Sequence, residues 1–254
     1  MASTAVKTAL VTGGARRIGR AIVEDLARNG FAVAIHANRS TEEAEQLARQ
    51  IRAAGGSASV HQADLADVGA VSTLVEAATD AVGPLGLLVN SASLFREDGA
   101  DEFDAETWEA HFAIHARAPV ILTQHFAALC EGRPGLVVNM IDQRVWRLTP
   151  KVFSYTLSKS TLWTATRTLA QAMAPNIRVN AIGPGPTLPN ERQSEAEFKA
   201  QSSKVLLGSG PGLDEFGRTI RYLFDTPSVT GQMIALDGGQ HLAWRTPDNT
   251  DIGE

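Results

Sequence analysis

The chain has 254 residues, of which 44% are hydrophobic, and this length can bury one sizeable core. Its net charge of -5 gives no indication of binding to nucleic acid or to an anionic membrane surface. A single cysteine, Cys130, excludes an internal disulfide framework, and no apolar run approaches the roughly 18 residues that a membrane helix needs. We therefore expect a soluble, cytoplasmic protein.

Strands and helices alternate along the chain, which is typical of a parallel sheet covered by helices on both faces. The predicted strands are residues 8–11, 31–35, 58–62, 85–89, 135–140, 177–181 and 232–236. The predicted helices are residues 17–29, 42–54 with Thr41 as N-cap, 67–82, 104–131 with a break near Pro119, and 152–173. The pattern indicates a doubly wound, Rossmann-type α/β fold with a seven-stranded parallel sheet, in one domain over residues 1–254.

Two stretches interrupt the alternation. Residues 183–210 begin rich in Pro and Gly and then become polar and helical, and we interpret them as a mobile lid over a site. An ordinary surface excursion is the alternative interpretation. The tail, residues 246–254, is polar and is predicted to be loose.

A glycine-rich turn, TGGARRIG over residues 12–19, follows the first predicted strand and opens the first helix. Gly13 and Gly14 allow the turn, and Gly19 lets the helix pack close to the sheet. This arrangement points free backbone N–H groups at a pyrophosphate. The sequence therefore predicts a dinucleotide site at this turn.

The end of the second strand favours NADP(H) over NAD(H). The segment IHANRS contains His36, Arg39 and Ser40 and has no acidic residue. An acid there would hold the ribose 2′-OH of NAD, whereas a 2′-phosphate demands positive charge and hydrogen-bond donors. Arg16 and Arg17 add charge from the glycine turn, so we predict NADPH/NADP as the cofactor.

A Tyr-x-x-x-Lys pair lies on the predicted helix 152–173. Tyr155 and Lys159 are four residues apart and share one helix face. We expect the ammonium of Lys159 to lower the pKa of the Tyr155 phenol and to make it a usable proton donor near neutral pH.

Asp142 precedes Tyr155 by 13 residues. An ionised carboxylate only accepts hydrogen bonds. If Asp142 faces a substrate, as the family resemblance given next implies, it suits one that presents N–H groups, such as a nitrogen heterocycle, better than a ketone or an alcohol. A degenerate site is the alternative interpretation of this residue.

Together these motifs resemble the short-chain dehydrogenase/reductase family, in which a Ser usually takes the place of Asp142 and a Gly the place of Arg17. The combination of Arg17 with Asp142 resembles the pteridine reductases in particular. The matching segments are TGGARRIG, HANRS, NSASLF, NMID, YTLSK and IRVNAIGPGP, and the resemblance runs from Thr12 to the DGG at 237–239.

The resemblance implies NADPH-dependent hydride transfer to a C=N bond of a dihydropterin, such as dihydrobiopterin, dihydromonapterin or a dihydrofolate-like substrate. It implies that Phe95 stacks over the pterin ring, although ordinary core packing is the alternative.

The implied catalytic residues are Asp142, Tyr155 and Lys159, and the implied substrate-binding residues are Arg17, Ser93, Phe95, Asp142 and Tyr155. The implied cofactor-binding residues are Gly13, Arg16, Arg17, Ile18, Gly19, His36, Asn38, Arg39, Ser40, Asp64, Leu65, Asn90, Ala92, Ser93, Tyr155, Lys159, Pro184 and Gly185. No metal site is expected.

One position departs from the family pattern. His115, in the segment HARAP, stands where the short-chain family commonly has the Asn of N-x-x-A-P, which serves a water-linked proton relay. Imidazole both donates and accepts, so a relay through His115 is expected to persist with a different pH dependence.

The resemblance also implies a homotetramer. Two alternative functions stay open from the sequence. One is a short-chain reductase of another carbonyl or imine substrate, because residues 187–210 of the lid set specificity. The other is a non-catalytic NADP(H)-binding regulatory protein, against which the Tyr155–Lys159 pair argues.

Overall fold

Seven parallel strands form one sheet in a computed structural model of the chain, which describes residues 6–189 and 193–244. The strands are β1 Thr8–Val11, β2 Ala32–Ala37, β3 Ala58–Gln62, β4 Leu87–Asn90, β5 Gly135–Met140, β6 Ile177–Pro184 and β7 Met233–Leu236. Their order across the sheet is β3, β2, β1, β4, β5, β6, β7. The order reverses between β1 and β4, and doubly wound sheets bind ligands at the carboxyl ends of the strands beside such a reversal. The predicted fold class is confirmed.

Helices cover both faces of this sheet. In the described part of the chain they are α1 Arg17–Arg28, α2 Thr41–Ala53, α3 Val68–Val82, α4 Ala105–Phe112, α5 Ala118–Cys130, α6 Phe153–Ala172, α7 Glu195–Ser202 and α8 Leu213–Asp225. The first apolar core lies between the sheet and α1, α2 and α8. The second lies on the opposite face, against α3, α5 and α6.

The predicted helix over residues 104–131 is divided into α4 and α5 by a π-helical turn, Ala113–Arg117. The predicted cause of the break, Pro119, lies in the first turn of α5. Proline has no N–H, and its ring crowds the carbonyl of the residue four positions earlier, which is His115. The wider π turn accommodates that lost bond, and it places His115 at the break.

One helix was not predicted from the sequence. Helix α8 packs along α1 and buries Phe216, Ile220 and Leu223. Gly217 lies in its interior and weakens the helical signal, since glycine is a poor helix former. The reason for this glycine is a long-range contact with Asp25 of α1.

Other predicted boundaries shift by a few residues. Helix α2 begins at Thr41 itself, with Ser40 at the N-cap position and no side-chain cap hydrogen bond. The second half of β6 extends through Gly183 and Pro184, so the predicted lid begins inside a strand. Residues 190–192 of that lid and the predicted loose tail, 246–254, lie outside the described residues. No helix within the described ranges has both the length and the apolar character to cross a membrane.

Gly217 generates a stability prediction. A Cβ at this position would overlap the side chain of Asp25, whose carboxylate accepts a 2.8 Å hydrogen bond from Nε of Arg221. Gly217→Ala is therefore expected to lower the free energy of unfolding by about 1–3 kcal/mol, because it separates α1 from α8. Urea denaturation measures the change.

The matched control is Gly69→Ala, in the first turn of α3. There the nearest atom to the new Cβ is Oδ1 of Asp67 at 3.3 Å, a side chain at the helix N-cap. Alanine is the better helix former, so we expect no loss of stability. Equal unfolding free energies for the Gly217 and Gly69 variants would contradict the proposed role of the α1–α8 contact.

Candidate active site

The predicted catalytic side chains meet at the carboxyl edge of the sheet. Asp142 follows β5, and Tyr155 lies in the first turn of α6, where its hydroxyl donates to Oδ2 of Asp142 over 3.3 Å. The ring of Phe95, in the loop after β4, meets the ring of Tyr155 edge-on at 5.1 Å between centroids. Phe95 keeps 46% of its surface exposed, so its outer face is free of core packing.

Lys159 lies one helical turn below Tyr155 and is buried. Its ammonium donates to the carbonyl oxygen of Met140 over 2.8 Å and lies 5.7 Å from the centroid of the Tyr155 ring. Burial lowers the pKa of Lys159 to about 8, and the negative charge of Asp142 partly opposes that shift.

The predicted lowering of the Tyr155 pKa by Lys159 is wrong for this arrangement. Burial raises the pKa of Tyr155, and the nearby carboxylate of Asp142 raises it further, while Arg144 and Ser93 oppose the shift. The reason is that a buried phenolate loses its solvation and also faces a like charge. The phenol is consequently protonated at neutral pH, which is the form that a proton donor needs.

Sequence reasoning missed Arg144, which holds Asp142 in place. The backbone N–H of Arg144 donates to Oδ1 of Asp142 over 2.8 Å, and its Nη1 donates to Oδ2 over 2.8 Å. Asp142 is only 8% exposed, so this guanidinium supplies the positive partner that a nearly buried carboxylate requires. The signal available in the sequence was the Asp-x-Arg spacing directly after a strand, where an Asp side chain commonly bonds the backbone two residues on.

The glycine turn fits a dinucleotide pyrophosphate. Gly13 has φ of +63°, and a Cβ at Gly19 would overlap the carbonyl oxygen of Gly13. Helix α1 begins directly after this turn, with no side-chain cap and no acidic residue in its first turn. Its first N–H groups and the positive end of its dipole are thus available to a phosphate.

The loops after β1 and β4 are joined at this turn. The hydroxyl oxygen of Thr12 accepts hydrogen bonds from the backbone N–H groups of Ser91 and Ala92, each over 3.0 Å. The Cα of Ala92 lies 2.8 Å from where a Cβ of Gly13 would be, so only glycine fits there. Ile18, in the first turn of α1, packs against the core below.

His36 is not placed to hold a 2′-phosphate, in contrast to the prediction. It is buried, its Nδ1 accepts from the N–H of Gly13 over 3.1 Å, and its Nε2 then donates to the carbonyl oxygen of Ala63 over 3.0 Å. Burial also lowers the pKa of His36. The ring therefore joins the glycine turn to the end of β3, a contact that residue spacing alone does not reveal.

The remaining polar residues after β2 lie at the surface. Asn38 and Arg39 are exposed, and Ser40 lies at the start of α2. Arg16 forms an ion pair with Glu43 of α2, and this bond lowers the pKa of Glu43. A phosphate at this position would compete with Glu43 for Arg16.

The other predicted cofactor residues line the same edge of the sheet. Asp64 is exposed and accepts from the N–H of Ala66 over 2.9 Å, whereas its neighbour Leu65 is buried. Asn90 is buried and donates to Oδ1 of Asn139 over 2.8 Å, which joins β4 to β5. The Oδ1 of Asn90 has no partner within the described structure.

Two further groups complete the edge. Pro184 ends β6, and Gly185 packs against Asp237, with no room for a side chain.

The guanidinium of Arg17 donates to the carbonyl oxygens of Pro189 and Leu188, over 2.9 and 3.4 Å, so it contacts the predicted lid. Helix α7 of that lid buries none of its residues.

His115 lies close to this set but is fully bonded to other groups. Its Nε2 accepts from the N–H of Leu94 over 3.1 Å and lies 3.1 Å from the hydroxyl of Ser93, while its Nδ1 bonds Ser158 over 2.9 Å. Burial and the charge of Lys159 lower its pKa well below the usual range. Across the described ranges, no group of three or more His, Cys, Asp and Glu side chains is placed to hold a metal ion.

Comparisons with known proteins identify the family and similar solved structures. The family model for short chain dehydrogenases matches residues 7–200. FolM alternative dihydrofolate reductase 1 from Brucella canis, solved in complex with NADP, is 60% identical to this chain over 97% of it and 98% of that chain, with a TM-score of 0.94. Its Brucella suis counterpart, also with NADP, has the same identity and TM-score over 97% and 99% of the two chains. The dihydromonapterin reductase of Klebsiella pneumoniae is 29% identical over 95% of this chain and 100% of its own length.

The Arg144–Asp142 pair generates a second stability prediction. Arg144→Met keeps the length of the side chain and removes its charge, which leaves a nearly buried carboxylate without its cation. We expect the free energy of unfolding to fall by about 1–3 kcal/mol at neutral pH. The loss should be smaller in the background of Asp142→Asn, since the two residues interact directly.

The matched control is Arg218→Met, which breaks a 2.9 Å ion pair with Asp214 at the surface of α8. Both of its partners are well exposed, so we expect a change within about 0.5 kcal/mol. A double-mutant cycle in urea measures the coupling. An Arg144 variant as stable as the Arg218 variant would show that Asp142 does not depend on this guanidinium.

Proposed function

Because the chain belongs to the short-chain dehydrogenase family, we propose that it is an NADPH-dependent pteridine reductase. It transfers hydride to a C=N bond of a dihydropterin, such as dihydrobiopterin, dihydromonapterin or dihydrofolate. The observation that carries the proposal is Asp142, which lies beside Tyr155 at the carboxyl edge of the sheet. The names of the relatives, alternative dihydrofolate reductase and dihydromonapterin reductase, support the pterin class.

Asp142 is the group that selects the substrate. A pterin ring presents N–H and amino donors along one edge, and a carboxylate is an acceptor with two oxygens. Charged hydrogen bonds of this kind are shorter and stronger than neutral ones. A ketone, which brings only an acceptor oxygen, is repelled by the same carboxylate.

Tyr155 and Lys159 supply the proton side of the reaction. NADPH, when bound, supplies the hydride, which adds to the carbon of the C=N bond. The phenol of Tyr155 is protonated and delivers its proton to the nitrogen, assisted by Asp142, and Lys159 would hold the nicotinamide ribose. Such a positioned proton donor contributes about 10²–10⁴ in rate.

The residues that would hold the cofactor follow the edge from the glycine turn to α6. The N–H groups at the start of α1 would hold its pyrophosphate, with Gly13 and Gly19 allowing the close approach. Arg39 and Ser40, at the start of α2, would hold the 2′-phosphate. The remaining proposed contacts are Arg16, Arg17, Ile18, Asn38, Asp64, Leu65, Asn90, Ala92, Ser93, Pro184 and Gly185.

Phe95 forms one wall of the substrate slot. Its exposed ring stands edge-on to Tyr155, which supports stacking of a flat heterocycle between Phe95 and the nicotinamide. Arg17 and Ser93 bind the polar edge of the substrate and the cofactor phosphates. Residues 183–210 act as the lid of a single domain, and the hydrogen bonds from Arg17 to the carbonyls of Leu188 and Pro189 support this role.

The protein acts as a homotetramer in the cytoplasm. An apolar groove on the outer surface of α4 and α6 supports the homotetramer. Trp108, Phe112 and Leu157 line this groove. An apolar patch of this kind is typical of a subunit interface. The single cysteine is consistent with a reducing compartment.

The substitution Asp142→Ser tests the substrate class, since it restores the residue usual in the family. We expect NADPH affinity to be retained and kcat/KM for a dihydropterin to fall about ten- to a hundredfold, because a hydrogen bond to a charged group contributes about 1.5–3 kcal/mol. Weak turnover of simple ketones is expected to appear. Steady-state kinetics with dihydrobiopterin and a ketone in both proteins give the answer.

Tyr155→Phe is the companion variant. It keeps the ring and removes the proton donor, so NADPH binding should persist while turnover of every substrate falls by about 10²–10⁴. Unchanged dihydropterin turnover in Asp142→Ser would reject the role of Asp142 and favour a reductase of another carbonyl or imine substrate.

A further inference from the structure

Two histidine–serine pairs connect α6 to the loop that carries Phe95. His111 and His115 lie one helical turn apart, with their rings stacked at 5.5 Å between centroids. Nδ1 of His111 bonds the hydroxyl of Ser154 over 2.7 Å, and Nδ1 of His115 bonds that of Ser158 over 2.9 Å. All four side chains are buried. We call these two pairs the His–Ser clamp.

The other nitrogen of each ring bonds the loop. Nε2 of His115 accepts from the backbone N–H of Leu94 over 3.1 Å, and Nε2 of His111 accepts from that of Arg96 over 3.2 Å. A backbone N–H can only donate a hydrogen bond, so each Nε2 is an unprotonated acceptor. In a neutral ring, Nδ1 then carries the proton. Both rings are therefore in the same tautomer and point the same way.

The clamped residues flank Phe95 on both sides. Leu94 and Arg96 are its direct neighbours, in a segment without regular secondary structure. The carboxylate of Asp98 fastens the far end of this loop, since it accepts from the N–H of Ser154 at 3.1 and 3.0 Å. The backbone of Phe95 is thus fixed between two partly buried hydrogen bonds, although its side chain is partly exposed.

The rings of the clamp also contact Tyr155. Its ring meets His111 at 5.8 Å and His115 at 5.2 Å, both edge-on. The hydroxyl of Ser158 donates to the carbonyl oxygen of Tyr155 over 2.8 Å. One set of contacts therefore sets the position of Phe95 relative to Tyr155.

The clamp requires neutral rings. Burial is the largest cause that lowers the pKa of both histidines, and the charge of Lys159 adds to it. At His111 the charge of Asp98 opposes the shift and that of Arg96 supports it. Both rings are therefore neutral at neutral pH, and each Nε2 keeps its lone pair for the loop.

We propose that His111 and His115, held by Ser154 and Ser158, are positioning residues that fix Phe95 over Tyr155 and so set the width of the substrate slot. The identity of the ring that stacks on Phe95 rests on the proposed pteridine reductase function. The fixing of the loop by the two histidines is independent of that function. Loss of the bond from Arg96 to His111 should loosen Phe95 without changing the cofactor cradle, which lies at the other end of the loop.

Two substitutions at His111 test its hydrogen bonds to Arg96 and to Ser154 separately. The amide of Gln reaches the position of Nε2 and can accept from the N–H of Arg96, whereas the shorter amide of Asn reaches only the position of Nδ1 and Ser154. In His111→Asn we expect amide hydrogen exchange at Arg96 to accelerate about tenfold or more, since a partly buried hydrogen bond to the loop is lost. KM for dihydrobiopterin should rise about tenfold, equivalent to about 1.4 kcal/mol, with the Kd of NADPH unchanged.

His111→Gln is expected to restore both exchange and KM most of the way to those of the unmodified protein. His125→Asn, on α5 outside the clamp, is the control and should change neither. Ser154→Ala removes the acceptor that fixes the tautomer of His111, and it should accelerate exchange at Arg96 in the same direction. This variant decides the question if His111→Asn does not fold.

Identical behaviour of the Asn and Gln variants, or unchanged exchange at Arg96 in both His111→Asn and Ser154→Ala, would overturn the proposal. Amide exchange needs no substrate. If the unmodified protein turns over no dihydropterin, the proposed function fails, while the exchange rates still decide whether the clamp exists.

Discussion

The contact between Asp142, Arg144 and Tyr155 is the interaction on which the rest of the site depends. A carboxylate that is 8% exposed needs a cation, and Arg144 supplies one through its side chain and its backbone N–H. The same carboxylate accepts from the phenol and contributes to the raised pKa of Tyr155. The proposed proton donor, Tyr155, and the proposed substrate acceptor, Asp142, therefore belong to one group of interacting charges, and a change at any member affects the others.

The fold brings this group to a cofactor site by fastening loops to each other. Thr12 bonds the loop after β4, His36 joins the glycine turn to the end of β3, and the His–Ser clamp connects α6 to the segment around Phe95. These bonds are buried or partly buried, where a lost partner costs more than at the surface. These bonds hold the loops beneath the site in place, whereas Phe95 and helix α7, in the predicted lid, remain largely exposed.

Much of the fold was predictable, because apolar runs bounded by glycine and polar residues define buried parallel strands. The bounds predicted for β1, β3 and β5 agree residue for residue with the structure. Helix α8 was not predicted because Gly217 weakens its helical pattern. That glycine is required by close contact with Asp25, about 190 positions away in the chain. The resemblance to the short-chain family placed Asp142 and Tyr155 in one site. The partners of Arg144 and His36 and the direction of the Tyr155 pKa shift depend on burial, which the sequence does not display.

If Asp142 selects the substrate as proposed, the protein reduces pterins in preference to ketones. The most direct test measures kcat/KM of the unmodified protein with NADPH for dihydrobiopterin, dihydromonapterin, dihydrofolate and a series of β-ketoesters. We expect at least one dihydropterin to be reduced with a kcat/KM well above that of every ketoester. Faster reduction of a ketoester than of any dihydropterin would contradict it, as would NADPH binding without turnover of any of these compounds.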